Sequence, residues 1–418
     1  MLIIADLHLH SKYARATSKE MEISKLAEYA KIKGLNLLGT GDFTFPKQLE
    51  DIKSKLLPIE DRGLYVYDDV FFMLTTEMAT FYFEGNKSRR VHHLVHVPSI
   101  EIVEQIIDVL SKKDADTTAD GRLTIKISSA ELVEILKEIS QDIHIVPAHV
   151  WTPYFGCLGS VTGFDSIEEC YKDMTKHIHA IETGLSSDPP MNWRLSSLDK
   201  FALMSNSDSH SPWPWRLGRE ANVFELKRLD YWELWDAVKK KDKNKFLYTI
   251  EVDPNYGKYH FSGHRRCGVI LSPKEALKLK NICPVCKKPL TIGVLQRVEE
   301  LADREEGFVP KNAIPFKHLL PLYEIISFVL GEERNSKKVV EMQEKLIKTF
   351  GNELNAVMNA SFEELIKVID EKIAKAIIDV REGRVKFTPG YDGVYGKIIF
   401  DEKQTIKKSP QKNLFDYK

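Results

Sequence analysis

With 418 residues the chain is too long for one ordinary hydrophobic core, so two or more domains are expected. Its 60 Lys and Arg against 61 Asp and Glu, with 43% hydrophobic and 10% aromatic residues, exclude bulk disorder and a globally basic coat; any contact with nucleic acid must come from local patches. The N-terminus meets Asp6 before any basic residue, unlike a signal peptide, and the longest apolar stretch, Leu319 to Gly331, covers about half a bilayer and contains Glu324, so a cytoplasmic protein is the reading.

The first 225 or so residues repeat one pattern: a short apolar run, a polar cluster at its end, then an amphipathic stretch. Leu2 to Leu9 is the first run, followed by Ile23, Leu26, Ala27 and Ala30 at helical spacing with Gly34 placed to stop the helix. Further runs are Leu35–Leu38, Val70–Leu74, Val91–Val97, Ile143–Val146, Ile178–Ile181 and Phe201–Met204. Strands alternating with helices predict a parallel sheet with crossovers, and seven runs fit a closed or distorted barrel. The expected division is an α/β barrel over 1–255, a small metal-binding ribbon over 256–303, a mostly helical domain over 304–400 and a polar tail over 401–418. In the helical part Ser361 and Glu364 form a capping box predicted to open a helix running through Leu365, Val368, Ile369 and Ile373. That stretch and Arg381-Glu382-Gly383-Arg384 resemble a helix-hairpin-helix DNA module without its Gly-x-Gly hairpin, so packing against the barrel is the favoured role.

Asp6-Leu7-His8-Leu9-His10 alternates with period two, which puts Asp6, His8 and His10 on one side of a strand. Other polar clusters also stand where apolar runs end: Gly41-Asp42, Glu77, His92, Pro147-Ala148-His149 and Asp208-Ser209-His210. In a barrel such ends converge on one face. Imidazoles and carboxylates without thiolates suit Zn²⁺, Mn²⁺ or a similar ion, and Glu77 could bridge two of them. The spacing is similar to the PHP (polymerase and histidinol phosphatase) superfamily of distorted (β/α)7-type metallophosphoesterase barrels. That resemblance implies that His8, His10, Glu77, His92, His149, Asp208 and His210 are ligands. His93 and His96 remain alternatives to His92. Two departures stand out: Asp42-Phe43 where many relatives have Asp-His, and Ala14-Arg15-Ala16 where a further histidine is expected. Two divalent ions (Zn, Mg or Mn) are therefore expected, with three as the alternative and Asp42 as a carboxylate substitute. Such a pair lowers the pKa of a bound water from near 16 to about 7 and offsets charge on attacking and leaving oxygens, the chemistry of phosphodiester hydrolysis.

Trp151 and Tyr154 follow His149, Trp213, Trp215 and Arg216 follow His210, and Trp193 follows the loop that contains Glu182 and Ser186. Together they form a candidate stacking rim for unpaired bases. The run Lys239–Lys245 is either a solvated face or a phosphate contact. His264-x-x-Cys267, fifteen residues, then Cys283-x-x-Cys286 is a zinc-ribbon spacing for one closed structural zinc site; His260 is the rival of His264. Cys157 and Cys170 read as buried small residues.

Pro147–Pro153, Glu182–Pro189, Gly263–Cys267 and Pro389–Gly396, on a barrel joined to this ribbon, resemble the endonuclease Q family over nearly the whole chain. The resemblance implies a metal-dependent nick on the 5′ side of deaminated bases (uracil, hypoxanthine, xanthine) and abasic sites, leaving a 3′-hydroxyl and a 5′-phosphate, with the damaged nucleotide turned out of the helix. Gln411-x-x-Leu414-x-x-Tyr417 resembles the peptide that docks on the PCNA sliding clamp. A small-molecule phosphatase of the PHP type, a nuclease for undamaged ends and a non-catalytic DNA-binding adaptor are the alternatives.

Overall fold

A computed structural model describes residues 1–113, 115 and 120–399. Its barrel part contains β1 (Leu2–Asp6), α1 (Ile23–Lys33), β2 (Leu37–Gly39), α2 (Pro46–Lys55), β3 (Leu57–Ile59), β4 (Leu64–Tyr67), β5 (Val70–Glu84), β6 (Lys87–Val97), α3 (Ile100–Ser111), β7 (Leu123–Ile125), α4 (Ser129–Ile139), β8 (His144–Pro147), α5 (Ile167–Tyr171), β9 (Ala180–Glu182), α6 (Pro189–Asn192), β10 (Ala202–Met204), β11 (Ala221–Glu225), α7 (Tyr231–Lys240) and β12 (Phe246–Glu251). Each of the seven apolar runs contributes a strand. Helix α1 buries Ile23, Leu26, Ala27 and Ala30, and Gly34 ends it at φ 100°.

The remainder contains β13 (Ser262–His264), β14 (Val269–Leu271), α8 (Pro273–Lys278), α9 (Val294–Leu301), β15 (Phe316–His318), α10 (Leu322–Leu330), α11 (Lys337–Phe350), α12 (Glu353–Met358), α13 (Phe362–Leu365), α14 (Glu371–Arg381), β16 (Lys386–Thr388) and β17 (Lys397–Ile399). No helix among the described residues is long and apolar enough to cross a membrane.

The main sheet runs β15-β12-β11-β1-β2-β5-β4-β3, with β6 and β7 also paired to β5, and β8 to β6. It is mixed rather than parallel. Within it β1–β2 and β2–β5 are parallel, whereas β5–β6, β6–β8, β1–β11 and β11–β12 are antiparallel; β9 and β10 form a separate parallel pair. The reason is local: Gly85, at φ 57°, turns the chain between Glu84 and Lys87, so the runs at Val70 and Val97 are the two distant ends of one long hairpin. Bridges from Ile145 to Ile178 and from Leu9 to Ser209 tie the β9–β10 pair to β8 and β1 and close the layer into a distorted barrel. Ala5, Leu37, Met73, Leu94, Val146, Ala180, Met204 and Phe224, one from each of eight strands, fill its interior.

The helical region beyond the ribbon departs from the sequence reading at the Ser361 helix. Residues Phe316–His318 form a strand parallel to β12, because Pro315 and Pro321 flank them, and the helical region begins at Leu322. The Ser361–Glu364 capping box forms, but its helix is the single turn α13. A new helix starts at Glu371 under an Asp370 cap, so no helix runs from Ser361 through Ile373. The region docks on the barrel through Lys33 of α1, whose ammonium lies 2.6 Å from Glu353 of α12 with both side chains buried.

Candidate active site

The alternation of β1 continues past its last ladder residue and points His8 and His10 to the same side. The chain brings Glu77 of β5, His92 of β6, His149 after β8 and Asp208 after β10 to the same point. Glu77 is central and buried. Its Oε1 lies 2.6 Å from His92 Nδ1, 3.1 Å from His149 Nε2 and 3.5 Å from His8 Nε2, and its Oε2 lies 3.6 Å from His10 Nε2. Asp208 Oδ1 stands 3.1 Å from His10 Nε2 and 3.6 Å from His8 Nε2. The donor atoms fall into three overlapping groups: His8, His10 and Glu77; Glu77, His92 and His149; His10, Asp208 and His210. Asp42, His149 and Asp208 take positive φ values of 49, 30 and 46°, so three non-glycine backbones are held in a costly conformation at this one place.

The donor set fits divalent ions. His8 Nε2 is buried with no hydrogen-bond partner, as an atom awaiting a cation would be, and the buried Glu77 Oε2 has the Arg122 guanidinium as its closest cation among the described residues. Burial alone would push the Glu77 carboxyl up, but His92, Arg122, His149 and His8 around it hold it well below the usual range. Burial brings the His92 imidazole down to about 4, leaving it neutral and able to ligate at neutral pH. The alternation of β6 turns His93 to the other face, where it bonds Thr80 at 3.0 Å and Tyr171 at 2.7 Å; His96 shares the face of His92 but lies four residues along the strand, packed on Trp235.

A second layer fixes the imidazoles. Asp42 meets His10 Nδ1 at 3.1 Å and accepts from the amide and hydroxyl of Ser11, so it orients a candidate ligand rather than replacing the missing histidine. Phe43 beside it is buried in the core. Thr152 Oγ1 meets His149 Nδ1 at 2.9 Å. Glu182, a DNA-contact candidate in the sequence, is fully buried and stands on the wall of the cavity beside the cluster. It meets His8 Nδ1 at 3.0 Å and accepts from the His149 amide and the Asn206 side chain. Glu182→Gln is therefore expected to lower metal affinity and activity by about 10- to 100-fold while retaining the fold, measured as bound metal per chain and turnover rate.

Arg122, at the entrance to β7, carries no motif and was invisible in the sequence. Its Nε lies 3.1 Å from Glu77 Oε2 and its Nη2 3.4 Å from His210 Nε2. Nδ1 of His210 bonds the Asp208 carbonyl at 2.9 Å, so a guanidinium already occupies the side where the two departures removed imidazoles. Gly121 permits the approach, since a Cβ there would stand 2.8 Å from Asp42 Oδ2.

A cavity of about 410 Å³ opens on the cluster and shares His92, His149 and Asp208 with it; Tyr154, Phe155, Tyr259, Ser186 and Lys258 complete much of its wall. Gly184, at φ 69°, lets this wall pass His149, because a Cβ would come within 2.7 Å of that residue's Cβ. The rim reading of the tryptophans needs correction. Trp151 is 1% exposed and donates to Asn192, so it belongs to the core. Trp213 and Trp215 stack at 5.7 Å and meet Tyr29 of α1 and Tyr323 of α10, forming the seam to the helical region, while Trp193 packs on Phe316. An indole with dry neighbours gains more from packing than from standing open to solvent. Tyr154 is 47% exposed at the cavity mouth.

The second candidate metal group joins His264, Cys267, Cys283 and Cys286, with Cys286 Sγ 3.4 Å from His264 Nδ1. His260 lies outside it, buried against Phe261. Cys157 and Cys170 are buried thiols.

The chain is similar to the lesion-specific endonuclease PfuEndoQ of Pyrococcus furiosus, at 34% identity, a TM-score of 0.86 and 96% of both chains. It is equally similar to endonuclease Q in complex with a 27-mer duplex that has an abasic lesion at the active site, at 34% identity and a TM-score of 0.87, over 96% of this chain and 97% of that one. The uncharacterised protein YqxK of Bacillus subtilis is 30% identical over 95% of this chain and 99% of its own length. The uncharacterised protein MJ0043 of Methanocaldococcus jannaschii is 38% identical over 57% of this chain, a match that spans 30% of MJ0043 itself. The MJ0043 C-terminal domain family matches residues 321–384.

Proposed function

The chain belongs to the endonuclease Q family, and we propose that it is a metal-dependent DNA repair endonuclease. In this reading it hydrolyses the phosphodiester on the 5′ side of uracil, hypoxanthine, xanthine and abasic sites, leaving a 3′-hydroxyl and a 5′-phosphate. The observation that carries the proposal is the cavity of about 410 Å³ whose wall includes His92, His149 and Asp208. A cavity of this size accepts one nucleotide turned out of a duplex, and extrusion is cheapest where a base is mispaired or missing. Tyr154, Phe155 and Tyr259 offer apolar faces to an extruded base. Deamination exchanges an amine for a carbonyl, which the Ser186 hydroxyl can read as an acceptor.

His8, His10, Glu77, His92, His149, Asp208 and His210 would hold the ions, Zn, Mg or Mn, and the placement of Arg122 favours two over three. Bound there, they would lower the pKa of a water and offset phosphoryl charge. Glu182, Asp42 and Thr152 keep three imidazoles in the needed tautomer, and Arg122 adds a fixed positive charge beside the phosphoryl position. The His264–Cys286 group would hold a structural zinc. Within this proposal residues 1–255 carry the chemistry, the ribbon (256–303) and the helical domain (304–400) support DNA binding, and the protein acts in the cytoplasm. Gln411, Leu414 and Tyr417, in the tail 401–418, lie outside the described residues; docking of this peptide on a PCNA clamp is proposed from sequence.

The test is nicking of four labelled duplexes carrying uracil, hypoxanthine, an abasic site or no lesion, with Mg²⁺ or Mn²⁺. Damaged duplexes should be cut about 100-fold faster than the intact one, the advantage that a few kcal/mol of easier extrusion provides. Equal cutting of all four would make the protein a general nuclease. Turnover of a small phosphate monoester without nicking would make it a phosphatase.

A further inference from the structure

Three cations that the metal cluster does not use meet beside Asp208. Arg219 is buried and gives its Nε and Nη2 to the carbonyl of Ser207, at 3.3 and 3.0 Å. Tyr395 lies beside it, close enough for the guanidinium and the phenol to act on each other's ionisation. Arg216, three residues earlier, has its Cζ 5.3 Å from the centre of the Tyr395 ring, and Lys258 has its Nζ 5.4 Å from the same centre. Among the described residues none of the three has a carboxylate at ion-pair distance, and Nη1 of both arginines is buried without a partner. Burial of guanidinium donors with nothing to accept from them is costly, and two such donors in one place are what an anion seat requires. Burial pushes the Tyr395 phenol up, yet Arg219, Lys258 and Arg216 outweigh it and bring the phenol down to about 8, so the surroundings favour negative charge.

The location identifies the anion. Lys258 and Asp208 line the same cavity. The carbonyl that holds Arg219 belongs to Ser207, the residue before Asp208. A nucleotide that fills the cavity and offers its 5′-phosphate to the metal cluster has one other phosphate, on its 3′ side. Resting on the functional reading above, we propose that Arg216, Arg219, Lys258 and Tyr395 form a second phosphate seat that holds this non-scissile 3′-phosphate. The extruded nucleotide is then gripped at both phosphates, which orients the scissile bond even at an abasic site, where there is no base to hold.

A chemical double-mutant cycle tests the seat. Abasic duplexes would carry a neutral methylphosphonate either at the phosphate 3′ of the lesion or at one several nucleotides away. The readout is the half-saturating enzyme concentration in single-turnover nicking by the holoenzyme. For the wild type, neutralising the 3′-phosphate should raise it about tenfold, and the remote substitution should have little effect. Arg216→Gln should be about tenfold weaker on the normal duplex and indifferent to the 3′ substitution, with its salt dependence lowered by about one unit of slope. Lys258→Gln should behave alike, and serves if Arg216→Gln misfolds; both side chains are half-buried. Lys25→Gln, which removes an exposed charge on α1 paired with Glu28, should leave the sensitivity intact. Full tenfold sensitivity retained by both seat variants would overturn the proposal. A wild type that neither binds nor nicks the abasic duplex would overturn the functional reading itself, and this inference with it.

Discussion

Glu77→Gln is expected to slow nicking by about a thousandfold or more, equivalent to about 4 kcal/mol of barrier. Among the described residues no other side chain touches as many parts of the site. His92, His149, His8 and His10 all lie within 3.6 Å of its two oxygens, and Arg122 reaches it at 3.1 Å. The glutamine keeps the shape but replaces one oxygen with an amide nitrogen that cannot bind a cation. Bound divalent metal per chain should therefore fall with the rate. The ring tautomers held by Glu182, Asp42 and Thr152 should survive, so circular dichroism should remain that of the wild type. A Glu77→Gln protein with full metal content and an unchanged rate would mean that this carboxylate is not part of the metal centre.

The second large effect concerns stability. Glu353→Leu alone is expected to cost about 3–5 kcal/mol in urea unfolding, because it leaves the Lys33 ammonium charged and buried. Glu353 Oε1 accepts from Lys33 Nζ at 2.6 Å and from the Leu322 amide at 3.0 Å, and Lys33 also donates to the Pro214 carbonyl at 2.9 Å. The pair thus pins α1, the Trp213–Trp215 turn, α10 and α12 at one point. Lys33→Met combined with Glu353→Leu should recover most of the loss, since two apolar side chains of similar volume need no partner. Equal losses in the single and double variants would assign the effect to packing rather than charge.

The local periodicities of the chain made much of its architecture readable. His8-x-His10 follows the period of two of its strand, and each apolar run is a strand because its ends are set by nearby Gly, Pro or polar residues. Between His264 and His260 the spacing to Cys267 is sufficient to choose, since two ligands on one short turn must be a few residues apart. Features that depend on where distant segments meet were not readable. Arg122 lies in Asp120-Gly121-Arg122, a stretch without pattern, and acquires its importance only when β7 aligns with β5. Trp151 follows a site residue, yet its ring turns inward to Asn192, an acceptor 41 residues away. The β5–β6 hairpin is not legible in the apolar runs because its turn, Gly85-Asn86, is polar and lies outside them. Glu182 reads as a DNA-contact candidate, but its bonds to His8, the His149 amide and Asn206 depend on three distant segments that no local pattern reveals.

In the proposed reaction the histidine and carboxylate cluster cuts the bond on the 5′ side of a damaged nucleotide. Mapping the ends left on a duplex with a single abasic site, for the wild type and for Asp208→Ala, distinguishes this reaction from its alternatives. Asp208 faces His8 and His10 and lines the cavity, so its removal affects both the metal cluster and the nucleotide site. The predicted result is one nick immediately 5′ of the lesion, with a 3′-hydroxyl and a 5′-phosphate, and loss of that nick in Asp208→Ala. A nick elsewhere, different end groups, or an Asp208→Ala protein that cuts as the wild type does would contradict it.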